Sequence, residues 1–323
     1  MTDLDDFVKL NKDEPGLGVK NNLKRDEILR RLSAYFISLE PGSEIETVRA
    51  IAASMQVSTG IISEVITLLE ELGAIRIERR GKLGSYLIDQ SASLLWKTAI
   101  QEPLVIAHTL PSNRRYEGLA AALKEVFQQA GIEIFFTFIR GSCTRLKALR
   151  NRSCHVAIMS QFAAEGMLGE SENMAVVLNA GSFVKAHRLY IRSDLEGNKA
   201  CLSAAIDPDS YDQMHISQIE FKNRSIQYKK ITFMNIHRYL DEKEVDMAVW
   251  TEEDMQGFLS SQIVMRKLSD TTEKILDRRN TKAALVVRSD DFATEQLIKK
   301  TIVNNALSSI QQEVIKGKRI PEY

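Results

Sequence analysis

The sequence predicts a mixed α/β protein in two unequal parts: a small N-terminal α+β module and a larger, two-lobed α/β region. Three observations carry this. Residues 22–72 hold three successive stretches of helical apolar spacing, and two short strand-like runs follow around a basic turn. From residue 104 onward, strand-like and helical runs alternate, as in parallel sheets with crossover helices. That alternation occurs twice with similar detail, which implies two lobes.

The chain has 323 residues, enough for two or three domains at about 100–200 residues each. Apolar residues make up 44% and charged residues 27%, so a substantial core is available. Lys plus Arg and Asp plus Glu both number 43, so any nucleic-acid surface must be local. No apolar run approaches the ~20 residues of a membrane span. The N-terminus is acidic, with Asp3, Asp5, Asp6, Asp13 and Glu14, unlike a secretory leader. Three scattered cysteines, Cys143, Cys154 and Cys201, suggest reduced thiols and a cytoplasmic protein.

Residues 1–19 read as an acidic flexible tail. A helix over 22–39 would bury Ile28, Leu29, Leu32, Tyr35, Phe36 and Leu39, and Pro41-Gly42 would end it. A short helix from Glu46 to Met55 follows. Ser58 is a fitting N-cap for a third helix to Leu72, which buries Ile61, Ile62, Val65, Leu68, Leu69 and Leu72. Strands at Ala74–Arg79 and Ser85–Ile88 flank the turn 80–84. Three helices and a hairpin make a winged helix-turn-helix, with residues 20–90 as its domain. Such a module sets one helix in the major groove of a double-stranded DNA operator. The candidate DNA contacts are Thr47, Arg49, Ser58, Thr59, Gly60 and Ser63, with Arg79, Arg80 and Lys82 on the wing. The module as a whole is nearly neutral, but Arg76 to Lys82 holds four cations against Glu78.

Residues 91–101 read as a linker, and 102–323 as a two-lobed ligand-binding domain. Strand Leu104–Thr109 and a helix from Tyr116 correspond to strand Cys201–Ile206 and a helical segment from Tyr211. Ile132–Ile139 and Thr144–Arg150 correspond to Ile226–Phe233 and Asn235–Leu240. Cys154–Ser160 corresponds to Val245–Thr251, and both end in Ala, an aliphatic, a bulky residue and a hydroxyl. His187–Arg192 and Ala284–Arg288 read as hinge strands. Lobe I is therefore 102–188 with 286–323, and lobe II is 189–285. The last helix, from Glu295 to about Glu313, returns to lobe I.

Ligands bind beyond the carboxyl ends of parallel strands. The candidates in lobe I are Ser112, Asn113, Arg114, Arg115, Arg140, Gly141, Ser142, Ser160 and Gln161. Lobe II offers Asp207, Ser210, Trp250 and Thr251. The arginines suit an anionic small-molecule effector. Five histidines, at 108, 155, 187, 215 and 237, lack metal-ligand spacing, so no metal, cofactor or catalytic residue is expected. Adjacent Cys154 and His155 do not define a catalytic pair.

The run Thr47 to Ala52, then Val57-Ser58, Leu68 to Ile75 and Arg80 to Ser85, resembles the winged helix of GntR-type bacterial regulators. That family often carries Arg after the Val-Ser pair and in mid-helix. Thr59 and Ser63 stand there in this chain, which shifts readout toward hydroxyls, backbone, Arg49 and the wing. The second part resembles the type 2 periplasmic-binding-protein fold. Ala74 to Gly81, Gly84 to Leu87, Arg115 to Ala120, Arg140-Gly141, Ala163 to Glu165, Ile206-Asp207, Val245-Asp246 and Pro321 to Tyr323 make the chain similar to the YhfZ family of bacterial proteins. The resemblance implies a transcriptional regulator; one module of this size buries limited DNA surface, which points to a homodimer on a pseudo-palindrome, and the lack of a paired nucleophile and base argues against an enzyme. The other reading is an enzyme in the α/β region, with the winged helix as a regulatory or protein-interaction module.

Overall fold

The structure, a computed structural model, describes residues 22–100, 102–195, 202–302 and 304–323. The acidic tail and Cys201 lie outside the described residues.

The N-terminal module begins with helix α1, Asn22–Ser38, then strand β1, Glu44–Ile45. Helices α2, Val48–Met55, and α3, Thr59–Glu71, meet at 113°, a helix-turn-helix angle. Thr47 caps α2 by accepting from Ala50 N at 3.1 Å, and Ser58 caps α3 by accepting from Ile61 N. Gln56 takes a left-handed φ of 56° between them, which turns the chain sharply. Strands β2, Ile75–Arg79, and β3, Ser85–Gln90, form the hairpin, and β1 adds to β3 in the order β1-β3-β2. Leu32, Phe36, Ile51, Ile62, Val65, Leu69 and Leu87 are fully buried in this core.

The segment expected as a linker is instead helix α4, Ala92–Ile100. Leu95 and Trp96 explain the difference. Leu95 enters the N-terminal core and Trp96 enters the core of lobe I, so one helix joins two cores. Burying both side chains is worth several kcal/mol, enough to fix a segment that turn composition alone would leave loose.

Lobe I contains β4 (Leu104–His108), α5 (Arg114–Gln129), β5 (Ile134–Phe138), α6 (Ser142–Arg150), β6 (Val156–Ser160), α7 (Gln161–Met167) and β7 (Glu172–Val177). Lobe II contains β8 (His187–Arg192), β9 (Leu202–Ile206), α8 (Tyr211–Glu220), β10 (Ile226–Lys230), α9 (Ile236–Asp241), β11 (Met247–Thr251), α10 (Glu252–Met255), β12 (Ile263–Lys267) and α11 (Asp270–Leu276). The chain then returns as β13, Ala283–Arg288. The sheets run β5-β4-β6-β13-β7 and β10-β9-β11-β8-β12. The two orders superimpose strand for strand, with β13 and β8 antiparallel to their neighbours. This is the two-lobed topology that the repeat predicted, of the periplasmic-binding-protein-like kind that the resemblance implied.

The expected hinge strands do not cross between lobes. β8 pairs only within lobe II and β13 only within lobe I, so both crossovers are loops that precede these strands. The boundaries at 188/189 and 285/286 thus cut through strands. The expected last helix is two helices, α12 (Phe292–Thr301) and α13 (Asn304–Ile315). α13 packs on α5 of lobe I, but α12 packs on α1. Ala293 of α12 lies in the N-terminal core, while Leu297 and Ile298 lie in the core of lobe I.

Candidate functional site

On the N-terminal module, Thr59, Gly60 and Ser63 are exposed along the outer face of α3. Thr47 and Ser58 are exposed as well, but their hydroxyl oxygens already cap helices. α3 carries no Lys or Arg, and its exposed Glu64 pairs with Arg25 at 3.0 Å. On the wing, Arg79 makes a two-pronged pair with Glu70, and Arg80 bonds Glu78 while lying 4.5 Å above the Tyr86 ring. These two expected phosphate contacts are therefore held by neighbouring carboxylates. Arg49, Arg76 and Lys82 are exposed and have no such partners among the described residues. Arg76 lay outside the expected set, although its place in the basic wing marked it.

In the larger part, the lobes meet around a partly open cavity of about 50 Å³. Its lining includes Gly141, Ser142, Ser210, Trp250 and Thr251 from the expected set. It also includes Tyr116, Arg145, His187, Asp212, Gln213 and Asp254, which sequence reasoning missed. Arg145 lies on α6 just past the recognised Arg140-Gly141-Ser142 loop, and Asp212 sits in the first turn of α8. Their proximity to those loops was the available signal.

Arg145 is only 3% exposed and donates to the carbonyls of Ile158 at 2.6 Å and Ile139 at 2.8 Å. Burial lowers its pKa to about 10, so it remains charged at neutral pH. Asp212 is also buried and accepts from Ser160 Oγ at 2.7 Å. Burial pushes its pKa up to about 7, against the pull of Ser160 and Arg145. His187 is held near a pKa of 4 by burial, and its Nδ1 lies 2.8 Å from Asn280 Nδ2. The buried Trp250 Nε1 has no hydrogen-bond partner among the described residues, and the ring stacks on Phe233. A buried N–H without a partner costs about 1–3 kcal/mol.

The predicted arginines are not free. Arg140 of lobe I pairs with Asp207 and Asp209 of lobe II. Arg115 pairs with Glu253 at 2.6 Å and also donates to the Gly181 carbonyl. Ser112 and Asn113 both donate to Asp254, and Asn113 caps α5 with its own carbonyl oxygen. Arg114 is mostly exposed beside Glu117, away from the cavity. Ser160 caps α7 as well as bonding Asp212. Gln161 bonds Glu165 and does not line the cavity. Thus carboxylates of lobe II occupy the anion seats of lobe I. Glycine permits a close approach beside Arg140: a Cβ on Gly141 would fall 2.8 Å from Asp209 Cβ.

Among the described residues no group of three or more His, Cys, Asp or Glu is arranged to hold a metal ion. No single helix among them is long and apolar enough to cross a membrane.

Residues 40–87 match the family model for a helix-turn-helix domain, and residues 91–323 match that for the YhfZ C-terminal domain. YhfZ of Escherichia coli (strain K12) is 28% identical over 303 residues, spanning 93% of this chain and 98% of its own. The crystal structure of YhfZ from Shigella flexneri superposes with a TM-score of 0.58 at 27% identity, covering 68% of this chain and 93% of that one. The BvgS periplasmic VFT2 domain of Bordetella pertussis superposes with a TM-score of 0.48 at 13% identity, covering 68% of this chain and 95% of that one. The chain belongs to the YhfZ family, and its helix-turn-helix domain joined to a YhfZ C-terminal domain is the make-up of a DNA-binding regulator.

Proposed function

We propose that the protein is a cytoplasmic transcription factor whose operator affinity responds to a small anionic effector in the interlobe cleft. It binds a pseudo-palindromic operator as a homodimer and performs no catalysis. The observation that carries this reading is the sharing of helices between parts. α4 and α12 each contribute to both the N-terminal core and the core of lobe I. Lys300 of α12 also donates to the Leu39 carbonyl at the end of α1, at 3.1 Å. A strain at the crossover before β13 has a packed route through β13 and α12 to the DNA-binding module.

DNA contact rests on Arg49, Arg76, Lys82 and the hydroxyl-rich face of α3 at Thr59 and Ser63. The remaining proposed DNA residues, Thr47, Ser58, Gly60, Arg79 and Arg80, shape the helix starts and the wing. In the cleft, Arg145 and Trp250 Nε1 supply buried donors for a carboxylate or phosphate. The space between the lobes, about 50 Å³, is far below the ~300–1,000 Å³ of ordinary ligand pockets. A larger anion must therefore displace Asp207, Asp209 and Glu253 from Arg140 and Arg115. Effector binding then opens a cleft that its own side chains close, the reverse of closure around the ligand. A coupling of ~1–3 kcal/mol is the usual scale for such a linkage.

The DNA reading is tested by selecting duplexes from a random pool on the purified chain. Enrichment of a two-fold sequence is expected, and recovery with no enriched sequence would sink it. The effector reading is tested by native mass spectrometry of freshly purified protein, followed by operator titration with any released anion. Coincident titration curves would refute the coupling.

A further inference from the structure

The six edge strands of the three sheets differ in how they are protected. An unprotected edge offers a row of unpaired N–H and C=O groups to another strand. β1 has only two residues, and β2 carries Arg76, Glu78 and Arg79. β7 is bulged against β13, where the register shifts between Leu285 and Val286. β10 ends in Lys229 and Lys230, and β12 in Arg266 and Lys267. Each has one of the common devices against edge pairing. β5, Ile-Phe-Phe-Thr-Phe over 134–138, has none: it is straight in register with β4 along its full length and bears no charge, proline or bulge.

Beside it lies a groove of about 580 Å³, walled by α5 at Lys124 and Gln128 and floored by Ile134, Phe136 and Phe138. Tyr323 closes one end, packed edge-on against both phenylalanines. On the other face of the strand, Phe135 is 55% exposed. We propose that a second copy of this chain occupies this edge, pairing β5 with β5 antiparallel across a two-fold axis to make one ten-stranded sheet.

The strand is self-complementary for this. A two-fold axis normal to the sheet keeps each residue on its own face, so the pairing must join residues of like parity. With Phe136 on the axis, Ile134 meets Phe138 and Phe135 meets Thr137. Aromatic and β-branched side chains oppose one another, which is the favourable cross-strand combination. No like charges face each other, since Glu133 falls opposite Ile139. On the lysine-bearing edge β10, the same operation would set Lys230 against Ile226 and Lys229 against Gln227, so neither face pairs apolar with apolar. The inference supplies the second copy that the proposed regulator requires, and it rests on that reading only for its purpose. The dimer is measured without DNA or effector, so failure of the interface and failure of operator binding are read separately.

The test is sedimentation of the full chain over micromolar concentrations, as wild type and as Phe135→Lys. Tyr228→Lys, on exposed β10, is the control. The expected result is a wild-type dimer, at least tenfold weaker association in Phe135→Lys, and no change in Tyr228→Lys. Amide exchange keeps the test independent of how well the variant folds. Protection at 134–138 in the wild type should rise with concentration as dimer forms. A monomeric wild type, undiminished association in Phe135→Lys, or exchange at 134–138 that ignores concentration would each overturn the proposal.

Discussion

Replacing Gly141 by Ala tests whether the closed cleft is held by backbone fit. Gly141 sits at φ 78° and ψ 132°, a sparsely populated conformation in which a Cβ costs about 1–3 kcal/mol. The added methyl would also lie 2.8 Å from Asp209 Cβ and 2.9 Å from Asp209 C, both across the lobe boundary. The Asp209 carbonyl oxygen lies closer still and ordinary contact begins near 3.4 Å, so the Asp209 turn must retreat by more than about 0.6 Å. That turn receives Arg140 through Asp207 and Asp209, and its Asp209 carbonyl accepts from Cys143 N at 3.1 Å. A packed interface does not stretch smoothly by this amount, so the latch should break and the lobes part. Gly181→Ala is the control. It shares a positive φ, 82°, but its nearest neighbour is Arg115 Nη1 at 3.8 Å. Interlobe distances should be read by spin or fluorophore pairs on α5 and α9, with unfolding midpoints alongside. Both variants should lose about 1–3 kcal/mol from backbone strain. Only Gly141→Ala should lengthen the interlobe distance and lose more stability. If the two variants match in distance and stability, the reasoning about the latch is refuted.

Three further outcomes follow from the same geometry. Lys82→Ala and Arg49→Ala should each weaken DNA binding across all sequences and lower the salt slope by about one, whereas Arg79→Ala, already paired to Glu70, should change the slope less; anisotropy titrations at several salt concentrations decide. Asp212 holds its proton in the folded state up to a pKa of about 7, against an ordinary 3.8, so its contribution to stability is complete below pH 4 and is lost as pH rises through 7. Buried His108 and His187, both held near 4, act in the opposite sense, so the difference between wild type and Asp212→Asn isolates the carboxyl; denaturant midpoints from pH 4 to 8 should show that difference changing by a few kcal/mol at most. Trp250→Phe keeps the stack on Phe233 but removes the unpartnered N–H. It should leave the empty protein as stable or slightly more so while weakening retention of any co-purifying anion, and equal retention on native mass spectrometry would contradict a ligand role for Nε1.

Much of the architecture was legible because its signals are local. Helical spacing of Leu32, Phe36, Ile62 and Leu69 picks out the face that becomes the N-terminal core, and Ser58 marks the start of α3 by its own hydroxyl. The repeated Ala-aliphatic-bulky-hydroxyl endings of β6 and β11 place both strands at equivalent positions in their sheets. These features depend on residues within a few positions of one another, and sequence preserves them directly. What only the tertiary structure decided depends on partners far along the chain. Arg140 and Arg115 look like open anion seats until Asp207, Asp209 and Glu253 arrive from the other lobe. Leu95 and Trp96 look like part of a linker until two separate cores close over them. Arg145 looks like a solvated helix residue until the carbonyls of Ile139 and Ile158 take its protons out of water. In each case burial and charge pairing are fixed by where distant segments meet, and a linear pattern of residue types does not contain that distance.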